Sequence, residues 1–190
     1  MYALPDFRRY FVPGGMYFYT LITSNRLPLF GNQTARTILG EAIRDELKAH
    51  PFKQVAIVLL PDHLHAIWSL PPGDAKYDSR WKAIKAKFTS QWLASGGIET
   101  TVAPGYRKQR RRDVWQARFM EHTIQDEQDL HHHCDYLHWN PVKHHLVKCP
   151  KDWPWSSFHR LVESGDYPLD WGCSSLSPPD TSRVDVGLIE

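Results

Sequence analysis

The stretch "LLPDHLHAIWSLP", residues 59–71, sets two histidines either side of a leucine inside an apolar run. A Pro-Asp turn signal at 61–62 opens it and "PPGD" at 71–74 closes it, which predicts a strand from His63 to Leu70. Side chains two apart on a strand share a face. Leu64, Ala66, Trp68 and Leu70 therefore form an apolar core face, while His63 and His65 point the other way with Ile67 and Ser69. Two imidazoles on one face are either a hydrogen-bonded pair or a bidentate clamp for a metal ion, and the clamp needs a third ligand.

Outward from this strand the pattern is regular. "FKQVAIVLL" at 52–60 is a continuous apolar run and predicts a buried strand. "GMYFYTLITS" at 15–24 is aromatic and β-branched, and predicts another. Residues 33–49 place Ile38, Leu39, Ala42, Ile43 and Leu47 at helical spacing, and 78–94 do the same with Trp81, Ile84, Phe88 and Trp92. "DVWQARFM" at 113–120 predicts a fourth strand. A third helix is expected from near Thr123, where Thr123 and Asp126 have capping-box spacing and "DEQD" at 126–129 suits the positive end of the helix dipole. Pro141 predicts its end near Asn140. The order implies an α+β fold: a ferredoxin-like four-stranded antiparallel sheet with two helices on one face and an added C-terminal helix. Residues 1–172 form a single domain in this reading. Residues 173–190, poor in apolar residues, are expected to be a weakly ordered tail.

The third helix carries "YLHWNPV" at 136–142. Tyr136 and Asn140 are four apart and share a helical side. The amide oxygen of Asn140 suits a hard cation, with the Tyr136 hydroxyl one turn away. The alternative is a core tyrosine followed by a helix-capping asparagine.

Composition narrows the classes. No run of about 18 apolar residues exists, so no membrane-spanning helix is expected, and "MYALPDFRRYFVPGG" lacks the apolar stretch of a secretory signal. Cys134, Cys149 and Cys173 have neither metal-site spacing nor an even count, and read as reduced thiols in a cytoplasmic protein. The net charge of +2 does not by itself call for a polyanionic partner. Its distribution is less even: "RKQRRR" at 107–112 and "KYDSRWKAIKAK" at 76–87 concentrate positive charge, which fits a nucleic-acid groove or a solvated loop.

"PDHLHAIWSLP" followed by "YLHWNPVKHHLV" resembles the HUH single-tyrosine transposases, named for two histidines flanking a hydrophobic residue. The flanking segments "RRYFVPGGMYFYTLITSNRLPLF", "VWQARFMEHTIQDEQDL" and "DWPWSSFHRLVESGDYPLDWG" resemble the branch of REP-associated tyrosine transposases, REP being repetitive extragenic palindromes, and the resemblance covers residues 8–172. It implies metal ligation by His63 and His65, with Asn140 where insertion-sequence relatives carry a glutamine ligand. It implies Tyr136 as the nucleophile that cleaves and rejoins single-stranded or hairpin DNA through a 5′-phosphotyrosine. It favours Mg2+ or Mn2+, and neither a small-molecule cofactor nor a membrane is called for.

A phenol ionises near pH 10, at about three units above neutrality, so positive charge or a base must assist Tyr136. His133, three residues earlier on the same helical side, is a candidate base. Arg107, Lys108, Arg110, Arg111 and Arg112 are candidate phosphate contacts, as are Lys82 and Lys85 on the second helix. Trp115 and Trp139 are either stacking platforms for bases or core. The protein is expected to be a monomer or a homodimer. Two other readings fit the same residues: a metal-dependent nuclease in which water attacks, and a non-catalytic binder of DNA hairpins.

Overall fold

The computed structural model describes residues 11–100, 112–173 and 178–184. The chain runs β1 (Met16–Ile22), α1 (Gln33–Ala49), β2 (Lys53–Leu59), β3 (His63–Ser69), α2 (Tyr77–Ala94), β4 (Met120–Thr123), α3 (Glu127–Lys143) and a short α4 (Phe158–Glu163). The four strands form one antiparallel sheet in the order β2-β3-β1-β4. It is an α+β architecture.

The alternation read from the sequence sorts side chains onto two faces, and each face builds its own core. Tyr17, Tyr19, Leu21, Leu64, Ala66, Trp68 and Leu70 lie under α1 and α2, packed with Ala35, Ile38, Leu39, Trp81, Ile84 and Phe88. Trp68 and Trp81 stack there with ring centroids 3.9 Å apart. The opposite face collects Phe18, Ala56, Val58 and Ile67 beneath Tyr136 and Leu137 of α3. Burying large aromatics at roughly 2–3 kcal/mol each on both faces is what holds three layers together.

Three expectations about α3 and β4 change. Strand pairing covers Met120–Thr123, not 113–120. Val114 and Trp115 instead turn inward onto the α1/α2 core, and Trp115 makes a single bridge to Thr23. The N-cap of α3 is Asp126, whose carboxylate accepts from the Asp129 N–H at 2.8 Å, so Thr123 ends a strand rather than capping the helix. The helix runs through Pro141 to Lys143. Proline removes only the N–H that would have met the Leu137 carbonyl, and its fixed φ is helical, so near a helix end the loss is tolerated.

The thiols also differ from expectation. Cys149 and Cys173 form a disulfide, and Cys134 is the free buried cysteine among the described residues. The segment between them turns back through α4, which brings residues 24 apart in sequence together. Part of the expected loose tail is docked. Val184 is buried in the α3-side core, and Arg183 forks onto Asp126 with two 2.9 Å bonds. Among the described residues no helix is long and apolar enough to cross a membrane.

Candidate active site

The strand register places the histidines. His65 sits opposite Thr20 and His63 opposite Ile22, all on the face that α3 covers. Both are buried, His65 completely. Asp62 Oδ1 lies 2.6 Å from His63 Nδ1. A carboxylate only accepts, so Nδ1 carries the proton and the lone pair is left on Nε2. His65 has its Nδ1 2.9 Å from Thr20 Oγ1, which leaves its Nε2 for another partner, and that Nε2 is buried without one.

The electrostatics keep His65 in ligand form. His65 is held well below the usual imidazole range, first by burial and then by positive charge at His63, His144, Lys143 and Arg26. It is therefore neutral with a lone pair to give. Burial works against the charge of Asp62, but the hydrogen bond and charge of His63, followed by those of Arg26, hold its carboxyl below the ordinary value. The Arg26 guanidinium is 3.2 Å from Asp62.

From above, α3 packs Tyr136 onto this face and carries Asn140 one turn further along. The Tyr136 ring meets the His65 ring at 5.3 Å between centroids, and the two imidazoles are 5.0 Å apart. Lys143 Nζ is 4.9 Å from the centre of the Tyr136 ring, and the His144 ring is 5.3 Å from that of His63. Asn140 is fully buried, and neither its amide oxygen nor its amide nitrogen has a hydrogen-bond partner. A buried amide left unpaired costs about 1–3 kcal/mol, a cost rarely kept without use.

The other named residues fall elsewhere. His133 does not turn to Tyr136. Its Nδ1 is 2.8 Å from the Asp129 carbonyl and 3.0 Å from the Asp129 carboxylate, and its ring stacks on His122 at 4.4 Å. Burial lowers the affinity of His133 for a proton. His122, Asp129 and His133 form a second group that could hold a metal ion. The helical i, i+4 spacing of Asp129 and His133 was visible in the sequence, but His122 joins from β4 and no local spacing announces it. Lys82 and Lys85 lie on α2, across the sheet from the histidine pair. Lys82 is exposed, whereas Lys85 donates to the Gln116 carbonyl at 2.8 Å. Arg112 pairs with Glu99 at 2.6 Å. Arg107, Lys108, Arg110 and Arg111 lie outside the described residues. Trp115 is core, and Trp139 is half-buried.

No protein-family model matches the chain. Individual proteins do. The chain is 40% identical over 168 residues to the REP-associated tyrosine transposase of Escherichia coli (strain K12), covering 88% of this chain and 91% of that one. The chain belongs to the REP-associated tyrosine transposase family. A Haemophilus influenzae protein named for the same family is 38% identical over 169 residues, covering 89% of this chain and 94% of its own. A solved structure of a REP-associated tyrosine transposase bound to a REP hairpin superposes with a TM-score of 0.74 at 38% identity, across 95% of this chain and 96% of the other. Membership of the REP-associated tyrosine transposases implies transposase or endonuclease activity.

Proposed function

We propose that this protein cleaves and rejoins single-stranded DNA at REP-type hairpins, using Tyr136 as a covalent nucleophile beside a divalent ion held by His63, His65 and Asn140. The reading rests on one observation above the others: a buried tyrosine packs 5.3 Å from an imidazole whose Nε2, like the nearby helix's Asn140 amide, is buried without a partner. Kinship to a protein solved on a REP hairpin supports the substrate. The sheet order β2-β3-β1-β4, with α1 and α2 packed together and α3 over the other face, supports the ferredoxin-like arrangement with the tyrosine on the added helix.

The donor set fits such an ion. Hydrogen bonds with Asp62 and Thr20 fix the imidazoles in place, as partners behind metal ligands do, and a carboxamide oxygen suits Mg2+ or Mn2+. When bound, the ion supplies Lewis acidity and a template at a phosphate oxygen. The remaining work belongs to the chain. Asp62 and Thr20 fix the ring orientations of His63 and His65. Helix α3 holds the Tyr136 ring against His65 and Phe18, so its oxygen approaches phosphorus from a set direction. The Tyr136 oxygen bonds to phosphorus, the bond to the 3′-oxygen breaks, and the 5′-phosphate stays on the protein. The phosphotyrosine keeps the energy of the broken ester, so a 3′-hydroxyl reverses the step and joins strands. The basic residues 107–112, Lys82 and Lys85 are assigned to phosphate backbone contacts, in a monomer or homodimer acting in the cytoplasm.

Incubation with hairpin DNA and Mn2+ or Mg2+, resolved on a denaturing gel, tests this. The expected product is a phenol-resistant protein–DNA adduct that vanishes in Tyr136→Phe. Nicking by the Phe variant at the normal rate would assign the attack to water. Hairpin binding indifferent to chelator, with no cleavage under either ion, would leave a binding protein.

A further inference from the structure

Tyr136 needs help that the sequence could not assign. His133, the candidate nearest in sequence, is committed to Asp129 and stacked on His122. Of the groups named around the tyrosine ring, Phe18 is uncharged and His65 is assigned to the ion. Lys143 is different. It lies seven residues after Tyr136, two helical turns along the same side of α3. Its ammonium stands 4.9 Å from the ring centre, and its charge also reaches His65. The side chain is half-buried, where a charge is less screened than on an open surface.

We propose that Lys143 is a catalytic residue of this site: its ammonium stabilises negative charge on the Tyr136 oxygen and on the phosphate bonded to it, in both cleavage and rejoining. The proposal rests on the assignment of Tyr136 as nucleophile. In the forward step the Tyr136 oxygen forms its bond to phosphorus as the bond to the 3′-oxygen breaks. The phenolic proton passes to solvent water, and the 3′-oxygen takes one from water. In the reverse step a 3′-hydroxyl attacks, its proton passes to water, and the phenolate leaves. Lys143 keeps its own protons throughout. A fixed cation beside the ring whose oxygen gains charge in one direction and departs with charge in the other serves both by the same interaction.

This geometry has a second consequence. The last turn of α3 delivers Lys143 toward the nucleophile and His144 toward His63, so one helical turn serves two sides of the site.

The test is single-turnover adduct formation and rejoining on hairpin DNA with Mn2+, in Lys143→Met and Lys143→Arg, beside DNA affinity and melting temperature. Methionine keeps the stem's packing and loses the charge. It is expected to slow both steps by roughly 100-fold while affinity changes far less, and arginine restores a large part. A normal rate in the Met variant overturns the proposal. So does equal slowing in Met and Arg with a lowered melting temperature, which would make Lys143 a packing residue. If the wild-type protein forms no adduct, or Tyr136→Phe still forms one, the tyrosine assignment itself fails and Lys143 falls with it. An adduct lost in Tyr136→Phe but made at full rate by Lys143→Met overturns the lysine alone.

Discussion

Two histidine groups lie on the same face of this sheet, and they are built on opposite plans. In the first, His63 and His65 are each tied by Nδ1 to one partner, and the buried Nε2 of His65 and amide of Asn140 meet nothing. In the second, His122 and His133 both meet the Asp129 carboxylate, at 2.8 and 3.0 Å, which also accepts from the Gln125 N–H at 2.9 Å. None of that group's polar atoms is among the buried ones without a partner. Burial opposes the charge of Asp129, yet the hydrogen bonds of His122 and Gln125 hold its carboxyl below the usual range. The second group could hold an ion, but its side chains already bond one another. Unspent hydrogen-bonding capacity, rather than the count of imidazoles, separates the two: the first keeps buried polar atoms without partners, and the second ties β4 to the start of α3.

The sharpest way to break this contrast is to delete one member of each group. His65→Leu removes a buried Nε2 with no partner but also the partner of the buried Thr20 hydroxyl, so the two effects offset and stability should change by less than about 1 kcal/mol, while adduct formation should fall by roughly 10³-fold. Asp129→Ala removes the partner of His122 and of the Gln125 N–H and leaves His133 only the backbone carbonyl of residue 129, and should cost about 2 kcal/mol by urea unfolding while Mn2+ binding survives. Calorimetric titration with Mn2+ reads the other half. Binding lost in His65→Leu and kept in Asp129→Ala sustains the contrast, and the reverse pattern would exchange the two roles.

A middling effect concerns protons. His65 and His133 are both kept neutral by burial, and so is His138, whose Nε2 is 2.9 Å from Ser157 Oγ and whose pKa is pulled down to about 3. An unfolded histidine takes its proton at about pH 6.5, so below that pH the unfolded chain binds protons the folded one refuses. The stability from His138 is whole above pH 6.5 and drains as the pH falls toward 3, at about 1.4 kcal/mol per pH unit. Urea midpoints between pH 6.5 and 4.5, above the range where carboxylates dominate, should show the decline. His138→Gln should flatten it by one proton's worth. An unflattened slope would shift the cost of acid onto the two groups facing α3.

How much of this was legible follows from how local each signal is. The faces of β1 and β3 were readable because alternation is a property of four or five consecutive residues. The juxtaposition of Tyr136 and Asn140 was readable from their spacing of four. Thr20 as the partner of His65 was not, since 45 residues separate them and only the strand register joins them. The pairing of Cys149 with Cys173 was hidden in the same way, and an odd cysteine count pointed away from it. β4 was misplaced because Val114 and Trp115 look more strand-like than Met120–Thr123. Those four residues are half-buried and owe their pairing to β1 rather than to their own propensity. Pro141 ended the helix on paper but not in space, because packing of α3 outweighs one missing bond in its last turns.

The smallest effect probes how that helix stops. After the C-cap at His144, His145 adopts φ 56°, the left-handed conformation that usually belongs to glycine. Its N–H reaches the Val142 carbonyl at 2.9 Å and the Leu146 N–H reaches the Pro141 carbonyl at 2.9 Å, the paired bonds of a Schellman stop. Holding a side chain there costs about 1–2 kcal/mol, and glycine gives back about 0.5–1 in unfolded-chain entropy. His145→Gly should therefore gain about 0.5 kcal/mol, or about 1–2 °C in melting temperature for a chain this long. The gain should appear in scanning calorimetry whatever ion is present, because the strain sits past the end of α3 and outside both histidine groups. A loss would mean that the exposed imidazole contributes contacts of its own. The turn delivering Lys143 and His144 would then be braced from beyond the helix, by a contact one residue further on than the ring contacts of Lys143 and His144 mark it.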